Sequence, residues 1–259
     1  NETAGILDDL IVYHLGDRNF RIISNCATSD QNNDWFKDKA KAFNVEVKFQ
    51  DDASIIAIQG PNSQKILSAV YDLNLNNFHI YQDGEVMIAR TGYTGELGFE
   101  IISNQTKGLE LWNYFVKKNV MPIGLAARDT LRLEAGLNLY GSDMTLENHP
   151  YESNLGWTVD HNDSERNYIG KKALLAKEKS GKELLGFYTN ERGVLRAGTP
   201  VYFNGGEGII TSGTWSPTFK KNIGFCRVDT NNQDSGFALL RDKEINLHFC
   251  KTNFLKHLK

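Results

Sequence analysis

Two adjacent carboxylates, Asp8 and Asp9, stand inside Gly5-Ile6-Leu7-Asp8-Asp9-Leu10-Ile11-Val12-Tyr13, a stretch whose other residues favour burial. The run from Leu10 to Leu15 reads as a strand, and a strand alternates its faces, so the two aspartates are expected to point opposite ways. An unpaired ionised carboxylate is costly inside a core, so one of the two needs a partner or a purpose. A surface turn ahead of a strand is the competing reading.

Three further groups could carry chemistry. Arg90-Thr91-Gly92-Tyr93-Thr94-Gly95-Glu96-Leu97-Gly98-Phe99-Glu100 spaces its glycines by three and lacks the GxGxxG pattern of a dinucleotide site. Glycines this dense imply positive φ angles or a backbone passing close to another body, and a structural hairpin explains them equally. Tyr93 at the tip could stack on a ligand, and Glu100 could accept hydrogen bonds from one. Ala127 to Gly141 reads as a charged amphipathic helix on which Arg128 and Arg132 share a face. Either these form a surface salt-bridge ladder, or a guanidinium reaches a planar polar ligand edge. Thr211-Ser212-Gly213-Thr214-Trp215-Ser216-Pro217-Thr218 reads as a hydroxyl-rich loop packed on a neighbouring unit. Ser212 has no G-x-S-x-G frame, which argues against a serine hydrolase.

The elements that must position these residues change character along the chain. Residues 1–50 read as strand (Leu10 to Leu15), strand (Phe20 to Asn25), helix (Asp30 to Phe43) and strand (Val45 to Phe49), with Trp35, Phe36, Ala40 and Phe43 as the helix's core stripe. Residues 51–160 alternate strands (54–59, 78–81, 85–91, 99–102) with helices (63–70, 108–118, 126–137) in no repeated βαβ period, which predicts an α+β domain. From 161 to 259, after a helix near Lys171 to Lys179, six short strands separated by Gly, Asn, Asp and Pro turns predict a small β-barrel.

Composition removes several function classes. The net charge of -3 offers no basic field for nucleic acid or an anionic membrane, and no apolar run reaches the length of a membrane span. The three cysteines, Cys26, Cys226 and Cys250, are scattered, and the six histidines form no HxxxH or HxH pair, so neither a disulfide framework nor a metal site is expected. A reducing compartment is implied.

Together, Gly5 to Tyr13, Ile58-Gln59-Gly60-Pro61, Arg90 to Glu100, Gly124 to Gly141 and Thr211 to Thr218 closely resemble the glycine cleavage T-protein family, in order from Ala4 to about Phe254. The resemblance implies a three-domain α+β cloverleaf ending in a small β-barrel, with tetrahydrofolate in its central hole. It implies an aminomethyltransferase that moves the methylene of an aminomethyl group on the lipoyl arm of the H-protein to tetrahydrofolate, releasing ammonia. Asp9 then matches the catalytic carboxylate. Tyr13 and Asn25 fall on wall positions of the folate site, Tyr93 lies against the folate, Glu100 and Arg128 match the pair at the pterin edge, and Trp157 matches another pocket residue. Glu96 and Arg132 match structural positions, and no metal is implied.

A carboxylate and a guanidinium suit a donor–acceptor–donor edge, and a fixed carboxylate at Asp9 would stabilise positive charge and could accept a proton. The resemblance also implies an N-terminal segment ahead of Asn1, roughly the first quarter of a family chain of about 350 residues. The alternatives are a folate-dependent demethylase of the same fold and a folate-binding fragment without catalysis. The folate-binding protein of iron–sulfur assembly is disfavoured, because its loop cysteine has no counterpart in Arg90-Thr91-Gly92-Tyr93-Thr94-Gly95-Glu96. The implied location is the bacterial cytoplasm, or the mitochondrial matrix in a eukaryote.

Overall fold

A computed structural model describes residues 1–160, 162–177, 181–230 and 234–258. The chain forms two compact units, one built from Asn1–Ile11, Ile22–Asn32 and Arg132–Lys259, the other from Val12–Arg21 and Asn33–Leu131. In order, the elements begin with strands β1 (Ile11–Gly16) and β2 (Asn19–Ile23), a 3-10 turn at Cys26–Thr28, and helix α1 (Ser29–Ala40). They continue with β3 (Ala53–Gln59), α2 (Ser63–Leu67), β4 (Ile80–Asp83), β5 (Val86–Ala89), β6 (Gly98–Asn104), α3 (Gln105–Lys117) and α4 (Leu125–Ala135). After 3-10 turns at Tyr151–Ser153 and Gly156–Thr158 come α5 (Lys171–Ala176), β7 (Lys182–Thr189), β8 (Pro200–Phe203), β9 (Gly206–Ser216), β10 (Lys221–Asp229), β11 (Ser235–Leu240), β12 (Lys243–Cys250) and α6 (Phe254–His257).

The unit containing residues 33–131 is an antiparallel sheet, order β3-β6-β5-β4, with α2 and α3 packed against it. Asn104 caps α3 by accepting the Lys107 N–H at 2.8 Å, and the helix buries Gly108, Leu111 and Phe115 at i, i+3 and i+7. Gly108 permits the close approach, since a Cβ there would sit 2.1 Å from the Ser54 hydroxyl. Ile58, Leu67, Ile88, Phe99, Ile101 and Leu111 form the core between the layers.

The other unit contains a closed six-stranded antiparallel barrel, order β10-β7-β12-β11-β8-β9, filled by Phe187, Val201, Ile210, Val228, Ile245 and Leu247. Closure leaves no edge strand exposed, which turn-separated short strands require. The expected α+β class and the C-terminal barrel are both present. Among the described residues, no helix is long and apolar enough to cross a membrane, and no cluster of three metal-ligating side chains occurs.

Several local expectations are corrected. Residues 45–49 form no strand, because no neighbouring strand pairs with them and the stretch lies largely exposed. Within α1 the buried residue is Asn32, whereas Phe43 lies beyond the helix end at 69% exposed, so the expected aromatic stripe is not the helix's buried side. Phe78 takes φ 62° and the strand starts only at Ile80. The Thr211–Thr218 stretch is not a loop, since β9 runs on to Ser216 in full register with β10 after a bulge. Of the helix expected near Lys171 to Lys179, positions 178 and 179 lie outside the described residues, as does His161.

Candidate active site

Asp8 and Asp9 precede β1, so they escape the alternation of a strand, and both reach the same amide. Asn25 Nδ2 donates to Asp8 Oδ1 at 2.7 Å and to Asp9 Oδ1 at 2.8 Å. Beyond this shared donor the two carboxylates diverge. Asp8 also accepts from the Asp9 N–H (2.9 Å), the Asn25 N–H (3.3 Å), the Thr28 hydroxyl (2.6 Å) and the Asn32 amide. Asp9 Oδ2 has no hydrogen-bond partner among the described residues. Burial raises the Asp9 carboxyl above its ordinary value, the Asn25 amide lowers it, and the charge on Asp8 raises it again.

A cavity of about 350 Å³ opens beside the pair, with Leu10, Leu155, Ile169 and Leu174 among its apolar walls. Leu155 and Thr158 line it from around the 3-10 turn that carries Trp157, whose indole is 82% exposed.

In the unit built on the antiparallel sheet, Tyr13, Thr91 and Glu100 form a relay. Thr91 Oγ1 donates to Glu100 Oε2 at 2.6 Å, which leaves it to accept from the Tyr13 hydroxyl at 3.2 Å. Burial of Tyr13 pushes its phenol up, the Thr91 bond pulls it down, and the Glu100 charge pushes it up further, so the phenol stays a donor. The Arg128 guanidinium lies 4.5 Å from the centroid of the Tyr93 ring and makes no hydrogen bond or ion pair among the described residues.

The glycine spacing of this motif has a concrete cause. Gln59 Nε2 donates to the carbonyls of Thr91 and Phe99, both at 3.2 Å, and so ties the two ends of the loop. A Cβ at Gly92 would fall 1.9 Å from Gln59 Oε1, and one at Gly98 would fall 2.4 Å from its Cδ, while Gly95 turns the tip with φ 73°. Thr91 and Gln59 touch the candidate residues and stand inside motifs, though their residue types alone suggest no chemistry. Asn32 carried no signal of its own.

Arg132 does not join a surface ladder. It is 2% exposed and pairs at 2.6 Å with Asp143, which is 0% exposed, and donates to Ser212 at 2.9 Å. The bulge in β9 falls at Thr211, so two successive hydroxyls turn to one oxygen: Thr211 and Ser212 donate to Asp143 Oδ1 at 2.6 and 2.7 Å. Glu134 accepts from Ser216 at 2.5 Å and Thr218 at 2.9 Å. These bonds hold Arg132 and Glu134, at the end of α4, to the barrel within one unit. The structural role expected of Arg132 agrees with this geometry.

Two family models match the chain. The GCVT N-terminal domain matches residues 1–163, and the glycine cleavage T-protein C-terminal barrel domain matches residues 182–256. An aminomethyltransferase of Xylella fastidiosa is 42% identical over 270 residues, covering 99% of this chain and 73% of that protein. One from Francisella tularensis is 41% identical over 269 residues, covering 100% and 75%. The crystal structure of glycine cleavage system aminomethyltransferase T from Bartonella henselae superposes with a TM-score of 0.92 at 31% identity, over 98% of this chain and 73% of that one. This chain therefore belongs to the glycine cleavage T-protein family and is an aminomethyltransferase.

Proposed function

We propose that the protein moves the methylene of an aminomethyl group, carried on the lipoyl arm of an H-protein, to tetrahydrofolate with release of ammonia. The observation that carries this reading is the inequality of the two aspartates. Asp8 is saturated with donors, whereas Asp9 keeps one oxygen uncommitted beside a cavity. A half-buried carboxylate so arranged stabilises positive charge at the reacting carbon and can accept a proton at Oδ2.

The residues present fit tetrahydrofolate. Glu100 has accepting capacity beyond its bond to Thr91, and the Arg128 guanidinium donates to nothing among the described residues. A carboxylate and a guanidinium of this kind suit the polar edge of a pterin, with Tyr93 offering a ring to stack on. Tyr13, through Thr91, holds Glu100 in orientation. Asn25 fits a wall position next to Asp9, and exposed Trp157 a contact at the cavity mouth. Bound tetrahydrofolate supplies the nitrogen nucleophiles that receive the methylene. Bacterial relatives and the free thiols at Cys26, Cys226 and Cys250 support a reducing bacterial cytoplasm as the location.

The test is a reconstituted assay with aminomethyl-loaded H-protein, with and without tetrahydrofolate, following ammonia and methylene-tetrahydrofolate. Folate-dependent release of both is expected. No transfer from the H-protein, together with turnover of sarcosine, would assign a demethylase instead.

A further inference from the structure

We propose that Asp8, Asn25, Thr28 and Asn32 form a positioning cradle for Asp9, one that fixes which of its carboxylate oxygens is offered to the reacting carbon. The proposal rests on the reading of Asp9 as the catalytic carboxylate and names the residues that make it so. Its centre is Asn25 Nδ2. The two hydrogens of this one nitrogen engage Asp8 Oδ1 at 2.7 Å and Asp9 Oδ1 at 2.8 Å. One oxygen of Asp9 is thereby held and the other left open.

An amide with a single partner could rotate. This one is held on the far side, because Asp8 is itself fixed by the Thr28 hydroxyl at 2.6 Å and by Asn32 Nδ2. Asn32 also donates to Thr28 Oγ1 at 3.2 Å, which joins the two supports. At 6% exposure Asn32 is the buried residue of α1, a place where an apolar side chain would stabilise more simply. A tie serving only to join residues 22–32 to residues 1–11 would be complete with Asp8 alone. It would not need the amide to reach a second carboxylate.

The cradle makes two predictions of opposite sign. The charged group that acts on Asp9 is Asp8, beside it in sequence, and the Tyr140 phenol, which donates to the Ile6 carbonyl at 3.1 Å, feels the charge of both aspartates. Burial holds the Tyr140 phenol up, with the charge on Asp8 next in effect, so it remains neutral. Asn25 favours the ionised Asp9 and Asp8 opposes it.

Carboxyl-carbon NMR titration of the unliganded protein reads this without any turnover. Asn25→Ala should move the Asp9 midpoint up, and Asp8→Asn should move it down. In the transfer assay Asn25→Ala should lower kcat about a hundredfold, as a misplaced reacting group does, with KM for tetrahydrofolate unchanged and the acid limb displaced upward. Should Asp8→Asn fail to fold, Thr28→Val takes its place: it removes one support at constant volume, and a reduced kcat at unchanged KM is expected. An unmoved midpoint in Asn25→Ala overturns the proposal. So does a raised KM with intact kcat, which would make Asn25 a ligand wall only, and so does full kcat in Thr28→Val. Absence of transfer by the unsubstituted protein would refute the activity reading, while the titration still decides on the cradle.

Discussion

As the proposed catalytic carboxylate, Asp9 would be made reactive by hydrogen bonds withheld as much as by those supplied. Its neighbour Asp8 is silenced by donors on both oxygens, and Asp9 is left with one held oxygen and one open. Asp9→Asn keeps the acceptor for Asn25 and removes the charge, so folate affinity should stay near that of the unsubstituted protein while transfer falls roughly a hundred- to thousandfold, a cost of about 2.7–4 kcal/mol. Near-normal turnover in that variant would end the catalytic assignment. Stability should move the other way. The folded-state value for Asp9 lies above its unfolded value of 3.8, so the folded protein binds the proton more tightly and its stability declines as pH rises through the folded value. Asp9→Asn removes that penalty, and thermal melts should show it at least as stable at neutral pH, with the advantage fading as pH falls toward 3.8. Glu100 and Arg128 are proposed here as binding residues. Each substitution to alanine should weaken tetrahydrofolate, and the double variant should lose less than the sum, because both residues address one heterocycle edge. Strictly additive losses below about 0.5 kcal/mol each by calorimetry would return both to ordinary surface roles.

At the scale of elements, the motif stretches do different work. The Arg90–Glu100 stretch leaves Glu100 with accepting capacity that we propose a ligand uses, and two of its glycines, Gly92 and Gly98, are explained by one side chain, Gln59, lying across its base. Arg132 and Glu134 instead bind the hydroxyls of residues 211–218, with Asp143, which belongs to neither motif, accepting from Arg132, Thr211 and Ser212. Sequence reading placed the barrel strands to within a few residues, because period-two patterns bounded by turn residues survive without tertiary information. It misjudged β9, where Gly213 and the surrounding hydroxyls look like a loop. The bulge and the buried Asp143 that turn those hydroxyls inward are not visible in local composition. Nor could it see that Asp8 and Asp9 share a donor, since that depends on where Asn25 returns in space. Arg132→Met should cost about 3–5 kcal/mol by leaving Asp143 buried and unpaired, and Arg132→Met with Asp143→Leu should recover part of the loss. Denaturant unfolding of the single and double variants reads both numbers. A loss under about 1 kcal/mol for the single change would mean the pair is solvated in solution.

The whole molecule is assembled from segments distant in sequence. Residues 1–11 belong with 132–259, as the Ile6 N–H donating to the Asn148 carbonyl at 2.9 Å and the Tyr140 hydroxyl donating to the Ile6 carbonyl at 3.1 Å make plain. A reading along the chain meets neighbours in order and cannot register such returns. Their consequence is that the aspartate cradle and the barrel lie in one compact unit and should share its stability. The cysteines report on this. Cys26, exposed and next to Asn25, marks the cradle, whereas Cys226 on β10 is fully buried in the barrel and Cys250 on β12 is half-buried with its thiol pushed up to about 11. Burial likewise pushes the Cys226 thiol far up. Thiolate is the reactive form, so a disulfide reagent at neutral pH should modify one thiol promptly and two slowly in the native protein. A closed barrel has no edge to fray, and Cys226 becomes reachable only when strands β7, β9 and β10 separate. Its labelling rate should therefore rise with denaturant in parallel with global unfolding. Prompt labelling of Cys226 without denaturant, shown by mass spectrometry of the modified peptides, would refute the closed barrel as the stable centre of this unit.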